Sequence, residues 1–191
     1  MAGLKWVVFM SRKATGDVVS FANIKNIYGE PAGPTAEGKL VHLQFRRFYG
    51  CPICNLHLQS FIKRKDELLN SNVHEIIVFH TSQQKMLENV SDRTFDFVAD
   101  PDRKLYKSYG VEPTWRALFS IGALKNAVKG VREFGVAMAP SLEAEFGVPA
   151  DFLIDESGKI LALKYGTHAD DQWTIDEVLD MAHTVADGGA V

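Results

Sequence analysis

The only two cysteines of this 191-residue chain sit three apart, as Cys51-Pro52-Ile53-Cys54. A secreted disulfide scaffold spreads several cysteines along its length, whereas two clustered thiols point to chemistry rather than stapling. Their flanks constrain the fold. Leu40–Phe45 is apolar and strand-like, ends in Arg46-Arg47, and leads through Phe48-Tyr49-Gly50 into the first cysteine. Pro52 suits the first position of a helix, where its missing N–H costs nothing. Ile53, Leu56, Phe61, Ile62, Leu68 and Leu69 then recur at helical spacing to about Asn70.

The rest of the chain continues that alternation. Val73–Phe79 and Phe95–Ala99 read as strands, with Ser82–Val90 and Asp102–Tyr109 as short helices, the second closed by Gly110. Asp151–Ile154 and Lys159–Lys164 flank Asp155-Glu156-Ser157-Gly158, the clearest hairpin in the chain. Thr174-Ile175-Asp176-Glu177 is a capping box for a last helix with Ile175, Val178, Leu179, Ala182 and Val185 on its apolar face. Strands separated by helices imply a parallel core sheet, and the closing hairpin adds antiparallel strands. A CxxC between a core strand and a helix, with a β-β-α ending, is the thioredoxin-like arrangement. The expected fold is α/β: a three-layer sandwich around a mixed sheet, as one domain over residues 1–191. Residues 1–38 are a loop-rich β extension holding a hairpin or two irregular strands such as Asp17–Phe21. Residues 112–147 are a helical insertion before the closing β-β-α.

Composition excludes several classes. The net charge of −3 gives no sign of the clustered basic surface that nucleic acid needs, and no apolar run approaches the roughly 18–20 residues of a membrane span. Trp6–Met10 is apolar but short, runs into Arg12 and Lys13, and lacks the cleavage site of a secretory signal. The expected address is cytoplasmic.

In a reducing compartment the pair reads as redox chemistry. A free thiol, with a pKa near ~8.5, is mostly protonated at neutral pH, and the thiolate is the nucleophile. Cys51 falls at a helix N-terminus, where unpaired N–H groups and the dipole favour an anion. Arg46 and Arg47 point to opposite faces of the strand end, so one of them, not both, reaches the sulfur. Cys54, one turn inward, is the buried resolving thiol. Two other readings compete. A zinc site would draw on His57, but lacks a second CxxC. Two buried thiols can also pack simply as small hydrophobes.

The segment Phe45-Arg46-Arg47-Phe48-Tyr49-Gly50-Cys51-Pro52-Ile53-Cys54 resembles the active-site segment of the alkyl hydroperoxide reductase/thiol-specific antioxidant (AhpC/TSA) family, in its peroxiredoxin-like branch. Ala99-Asp100-Pro101 with Tyr109-Gly110-Val111, then Gly147–Asp155, then Tyr165–Asp171 match in order, over roughly residues 39–187. The resemblance implies a thioredoxin-like fold and thiol-dependent redox activity without a cofactor or metal. The implied partners are a thioredoxin- or glutathione-type thiol, a protein disulfide or a hydroperoxide, with a homodimer as a possible assembly. Pro149 resembles the cis-proline that faces the CxxC, and the Val148 backbone would pair with an incoming substrate strand. Arg46, Arg47, Tyr49, Pro52, Val148 and Pro149 are the expected lining of the site.

Three positions depart from the family pattern. Typical peroxiredoxins carry a proline seven before, and Thr or Ser three before, the peroxidatic cysteine; here these are Gln44 and Phe48. They also place an arginine at the start of the strand that here begins with Pro149. Loss of that threonine and arginine removes hydrogen bonds that would stabilise a peroxide transition state, with Arg46, Arg47 or Arg116 as substitutes. Dithiol exchange by Cys51 and Cys54 is therefore the leading reading. A thiol peroxidase is the alternative, and a redox-switched binding protein a further one.

Four further features complete the reading. Asp151 is either a proton acceptor near Cys54 or a solvated residue at a strand end, the second being preferred. His168 lies on a loop after the last strand, and Trp173 anchors the last helix. Trp115, Leu118, Phe119, Ile121, Leu124, Val128 and Val131 form an apolar helical stripe among basic residues, read first as packing on its own protein.

Overall fold

The computed structural model describes residues 12–34, 40–90, 93–111 and 148–191. The expectations for 112–147, including Arg116, and for the first strand-like run lie outside these residues.

Strand β1 (Leu40–Arg46) is the middle of a five-stranded sheet and is buried along nearly its whole length. It pairs in parallel with β2 (Val73–Phe79), Leu40 opposite Val73 and Arg46 opposite Phe79. Its other edge pairs antiparallel with β4 (Ala150–Ile154). Strand β3 (Asp96–Ala99) extends the sheet in parallel beyond β2, and β5 (Ile160–Tyr165) extends it antiparallel beyond β4. The order is β3-β2-β1-β4-β5.

Side chains alternate across a strand, so β1 feeds two cores. Val41, Leu43 and Phe45 join Ile76, Val78 and Phe152 on one face, covered by Tyr106 of α4 (Lys104–Ser108) and by Ile24 and Ala32. The opposite face is covered by α1 (Pro52–Lys63), α2 (Lys65–Asn70) and α5 (Ile175–Ala186). There Phe61, Leu68, Val178 and Ala182 meet Ile77, Phe79 and Leu153, with Met86 of α3 (Gln83–Leu87) at the margin. Each Val, Leu, Ile, Phe or Met side chain among them, fully buried, contributes about 1.5–3 kcal/mol of transfer free energy. The expected α/β sandwich with its mixed sheet is what forms, and Thr174 and Glu177 close the capping box of α5 reciprocally.

Two elements differ from expectation. The helix expected from Pro52 to Asn70 breaks at Arg64, which leaves helical geometry at φ −114 and ψ 24. Its guanidinium reaches Glu67 and, across to α5, Asp176. Both halves pack on one core, so the apolar period runs through the break and conceals it. Residues 12–34 contain turns and two isolated bridges, Val18 with Lys159 and Lys25 with Pro31, rather than continuous strands. Pro31 and Pro34 remove ladder donors there, and Asp17–Phe21 meets the sheet at the Val18 bridge, where the Ile160 N–H of β5 donates to the Asp17 carbonyl at 2.8 Å.

Candidate active site

Between β1 and α1 the chain turns through Arg47-Phe48-Tyr49-Gly50, and the turn is anchored. The Tyr49 N–H donates to Thr81 Oγ1 at 2.9 Å, and the His80 N–H to the Arg47 carbonyl at 3.3 Å. The Tyr49 ring stands edge-on to Phe79, centroids 5.6 Å apart, and its hydroxyl donates to the Asn89 carbonyl. Gly50 takes φ +95, where an L side chain is strained. Cys51 follows as the N-cap of α1 in extended geometry, with Pro52 opening the helix. On the far side of the sheet, the Tyr106 hydroxyl donates to the Arg46 and Val78 carbonyls and pins the ends of β1 and β2.

Both cysteines are free thiols, only 1% and 2% exposed. The pKa of Cys51 is lowered to about 6. The largest cause is a hydrogen bond from the Cys54 thiol; burial opposes it, and the charge of Arg47 and the N–H groups of Cys54 and Ile53 assist. Cys54 is pushed well above the ordinary thiol range, because its proton is held by Cys51 and burial disfavours its anion. At neutral pH the pair therefore holds one thiolate, on Cys51, and one thiol, on Cys54.

The two arginines separate as strand alternation requires. Arg47 stays half-buried beside the sulfurs, its guanidinium 5.7 Å from the Phe48 ring centre. Arg46 was expected to line the site, and instead its side chain is buried at 2% exposure and committed to Asp151. Tyr49 serves the loop anchor just described. Val148 and Pro149 are buried ahead of β4. The bond into Pro149 is trans, as are all peptide bonds among the described residues, so the cis geometry implied by resemblance is not adopted. The intrinsic preference of an X–Pro bond for trans, about 0.5–1 kcal/mol, prevails here. The Pro149 carbonyl accepts from the Gly166 N–H at 2.9 Å, and a Cβ on residue 166 would meet that same oxygen at 2.9 Å. This close approach seats the turn that carries His168, which is half-buried and accepts from the Asp170 N–H through Nδ1.

Comparison with known proteins decides the family. The AhpC/TSA family model matches residues 32–163, more than half of the chain.

The chain belongs to the AhpC/TSA family.

Solved structures agree on the fold. A peroxiredoxin-like protein from Aquifex aeolicus superposes with a TM-score of 0.61 at 12% identity, covering 93% of this chain and 90% of that one. The reduced 2-Cys peroxiredoxin of Plasmodium vivax gives 0.61 at 15% identity, covering 91% and 82%. Peroxidoxin BcpB from Mycobacterium tuberculosis gives 0.55 at 16% identity, covering 91% and 96%. No curated protein sequence matches the chain. As an AhpC/TSA member with this fold, the protein is a thiol-dependent oxidoreductase.

Beneath the AhpC/TSA site lies a polar array that sequence reasoning missed. His42, Gln44 and Arg46 project from β1 toward α1, and all are at most 2% exposed. His42 Nδ1 lies 3.0 and 2.9 Å from the two carboxylate oxygens of Glu75 on β2, and its Nε2 3.2 Å from Oδ1 of Asp151 on β4. The Gln44 amide donates to Glu75. Arg46 Nη2 donates to Asp151 Oδ1 at 2.6 Å and approaches His57 Nε2 on α1 at 3.2 Å. The second oxygen of Asp151 accepts from the Trp173 N–H. Burial opposes the charge on His42, yet the two carboxylates win and raise its pKa to about 9. Burial likewise opposes the Asp151 carboxylate, and Arg46 with His42 holds it well below the usual range. His57 is kept neutral by burial and by the two neighbouring cations. Asp151 is thus neither a solvated strand-end residue nor a ready proton acceptor, because it is completely buried and already spoken for by two cations.

Proposed function

We propose that the protein is a dithiol–disulfide oxidoreductase. Cys51 attacks a substrate disulfide as the thiolate, forming a mixed disulfide and releasing one substrate thiolate. Cys54 then loses its proton and attacks the Cys51 sulfur, closing the Cys51–Cys54 disulfide and releasing the second thiolate. A thioredoxin- or glutathione-type thiol returns the pair to the reduced state. The observation that carries the reading is the placement of two buried free thiols at the opening of α1, Cys51 as its N-cap and Cys54 inside its first turn, with Cys54 lowering the pKa of Cys51; this supports attack by Cys51 and resolution by Cys54.

A second reading, thiol peroxidase, is favoured by the Arg47 charge beside Cys51 and by the family. In that reaction Cys51 takes one peroxide oxygen to become a sulfenic acid and releases an alcohol or water, and Cys54 then closes the disulfide with loss of water. Against it, Phe48 and Pro149 occupy positions where donors to a bound peroxide are expected.

The Cys54→Ser variant separates the two. Incubated with an oxidised disulfide peptide, it accumulates a Cys51 mixed disulfide visible by mass spectrometry. Hydrogen peroxide, followed by stopped flow on the reduced wild type, is consumed no faster than by an ordinary thiolate. Rapid consumption lost in Cys51→Ser, with a trapped sulfenic acid in Cys54→Ser, would instead establish the peroxidase.

A further inference from the structure

Arg47 stands apart from the other arginines near the core. Arg46 is paired with Asp151 and Arg64 with Glu67 and Asp176. Among the described residues no carboxylate lies within ion-pair distance of Arg47. Its Nε is shut away from water without a hydrogen-bond partner, and its guanidinium lies over the Phe48 ring. The backbone around it is fixed, its carbonyl by the His80 N–H and the following turn by Tyr49 on Thr81.

The charge balance of this site depends on its oxidation state. In the reduced protein the Cys51 thiolate compensates Arg47. Closing the Cys51–Cys54 disulfide removes that negative charge, whereas a guanidinium does not deprotonate. Among the described residues the oxidised site then offers this half-buried cation no counter-ion, a state that an arriving anion relieves.

We infer that Arg47 makes the oxidised protein select anionic thiols as reductants, its guanidinium binding a carboxylate carried by the incoming thiol. This rests on the dithiol-exchange reading. The thiolate of the reductant attacks Cys51, the disulfide electrons leave on Cys54, and Cys54 takes up a proton. A second reductant thiolate then attacks the sulfur of the first, releasing Cys51 as thiolate and the reductant as its disulfide. Arg47 binds carboxylate through a planar fork of N–H donors, so it acts on the approach of the reductant and again restores Cys51 as the anion.

The test is the reduction of the oxidised wild type by 3-mercaptopropionate, 2-mercaptoethanol and cysteamine, which are anionic, neutral and cationic. Rates are compared per thiolate at low ionic strength, after correction for thiol basicity. The expected order is anionic above neutral above cationic, spanning about tenfold or more for complementary charge at close range. In Arg47→Gln the span collapses to under about twofold, as it does for the wild type in high salt. Arg47→Lys keeps part of the preference through its charge alone. Equal rates in the wild type, or the same order in Arg47→Gln, would overturn the inference and leave dithiol exchange standing. Failure of all three thiols to reduce the protein would overturn both.

Discussion

Arg46 Nη2 donates to Asp151 Oδ1 across 2.6 Å, from the end of one central strand to the start of its antiparallel neighbour, with both side chains closed to water. The same Asp151 oxygen meets His42, and Arg46 goes on to His57. Two cations and two carboxylates are therefore locked beneath the helix that carries Cys51 and Cys54. Removing one partner from such a pair strands a buried charge.

Asp151→Ala should accordingly destabilise the fold by about 3–5 kcal/mol, measured by urea unfolding of the reduced protein. Most of that cost is the penalty of leaving Arg46 and His42 unpaired rather than the net worth of the ion pair. A paired replacement, Arg46→Met with Asp151→Leu, should therefore recover much of it. A loss of less than ~1 kcal/mol in the single variant, the size of an exposed pair, would show that water enters the array.

The pH profile of stability follows from His42. Its pKa rises from 6.5 to about 9 on folding. A raised pKa means that the folded state binds the proton more tightly, so the stabilisation is complete below about 6.5 and is lost as pH climbs toward 9. The shift corresponds to about 3 kcal/mol. Urea midpoints should fall steadily between pH 6.5 and 9, and the fall should flatten in His42→Phe even though that variant starts less stable. An unchanged slope in the variant would move the effect to another group.

Much of the scaffold was legible because it is local. Val73–Phe79 appears in the structure with the limits that its apolar run predicts, and the Thr174 capping box starts α5 where expected. Arg46 and Arg47 part because neighbours on a strand must. The polar array was not legible, because His42, Gln44 and Arg46 at alternate positions look like the wet face of a strand. Their partners Glu75 and Asp151 lie 33 and 109 positions from His42, and only strand register brings them together. The break at Arg64 and the trans bond at Pro149 escaped for a related reason, since periodicity and family pattern carry no information on a single dihedral angle.

Titration of the sulfurs should show their unequal acidity. Alkylation of Cys51 by iodoacetamide should be half-maximal near pH 6, with Cys54 unreactive across the neutral range. Cys54→Ala and Arg47→Gln should each move the Cys51 midpoint upward, because each removes a group that stabilises the anion. The reduction potential carries the same signature. Above pH 6 reduction takes up one proton per two electrons, giving a slope of about 30 mV per pH unit, steepening to about 60 mV below it. A single steep slope through pH 7 would mean that Cys51 is protonated there.

Access to Cys51 is a separate matter from its acidity. The residue is only 1% exposed, so a reagent reaches its sulfur only when local structure opens, and the adjoining 47–50 turn is the expected gate. The bond from the Tyr49 N–H to Thr81 Oγ1, at 2.9 Å, holds that turn to the end of β2. Thr81→Val keeps the shape of the side chain and removes the acceptor, which should ease opening by about 1 kcal/mol. The alkylation rate of the Cys51 thiolate should rise about fivefold, while its pH midpoint stays where it is, because the groups that set the acidity are Cys54 and Arg47. A rate that does not change would mean that the turn is not the gate, and a midpoint that moves would mean that Thr81 acts on the sulfur itself.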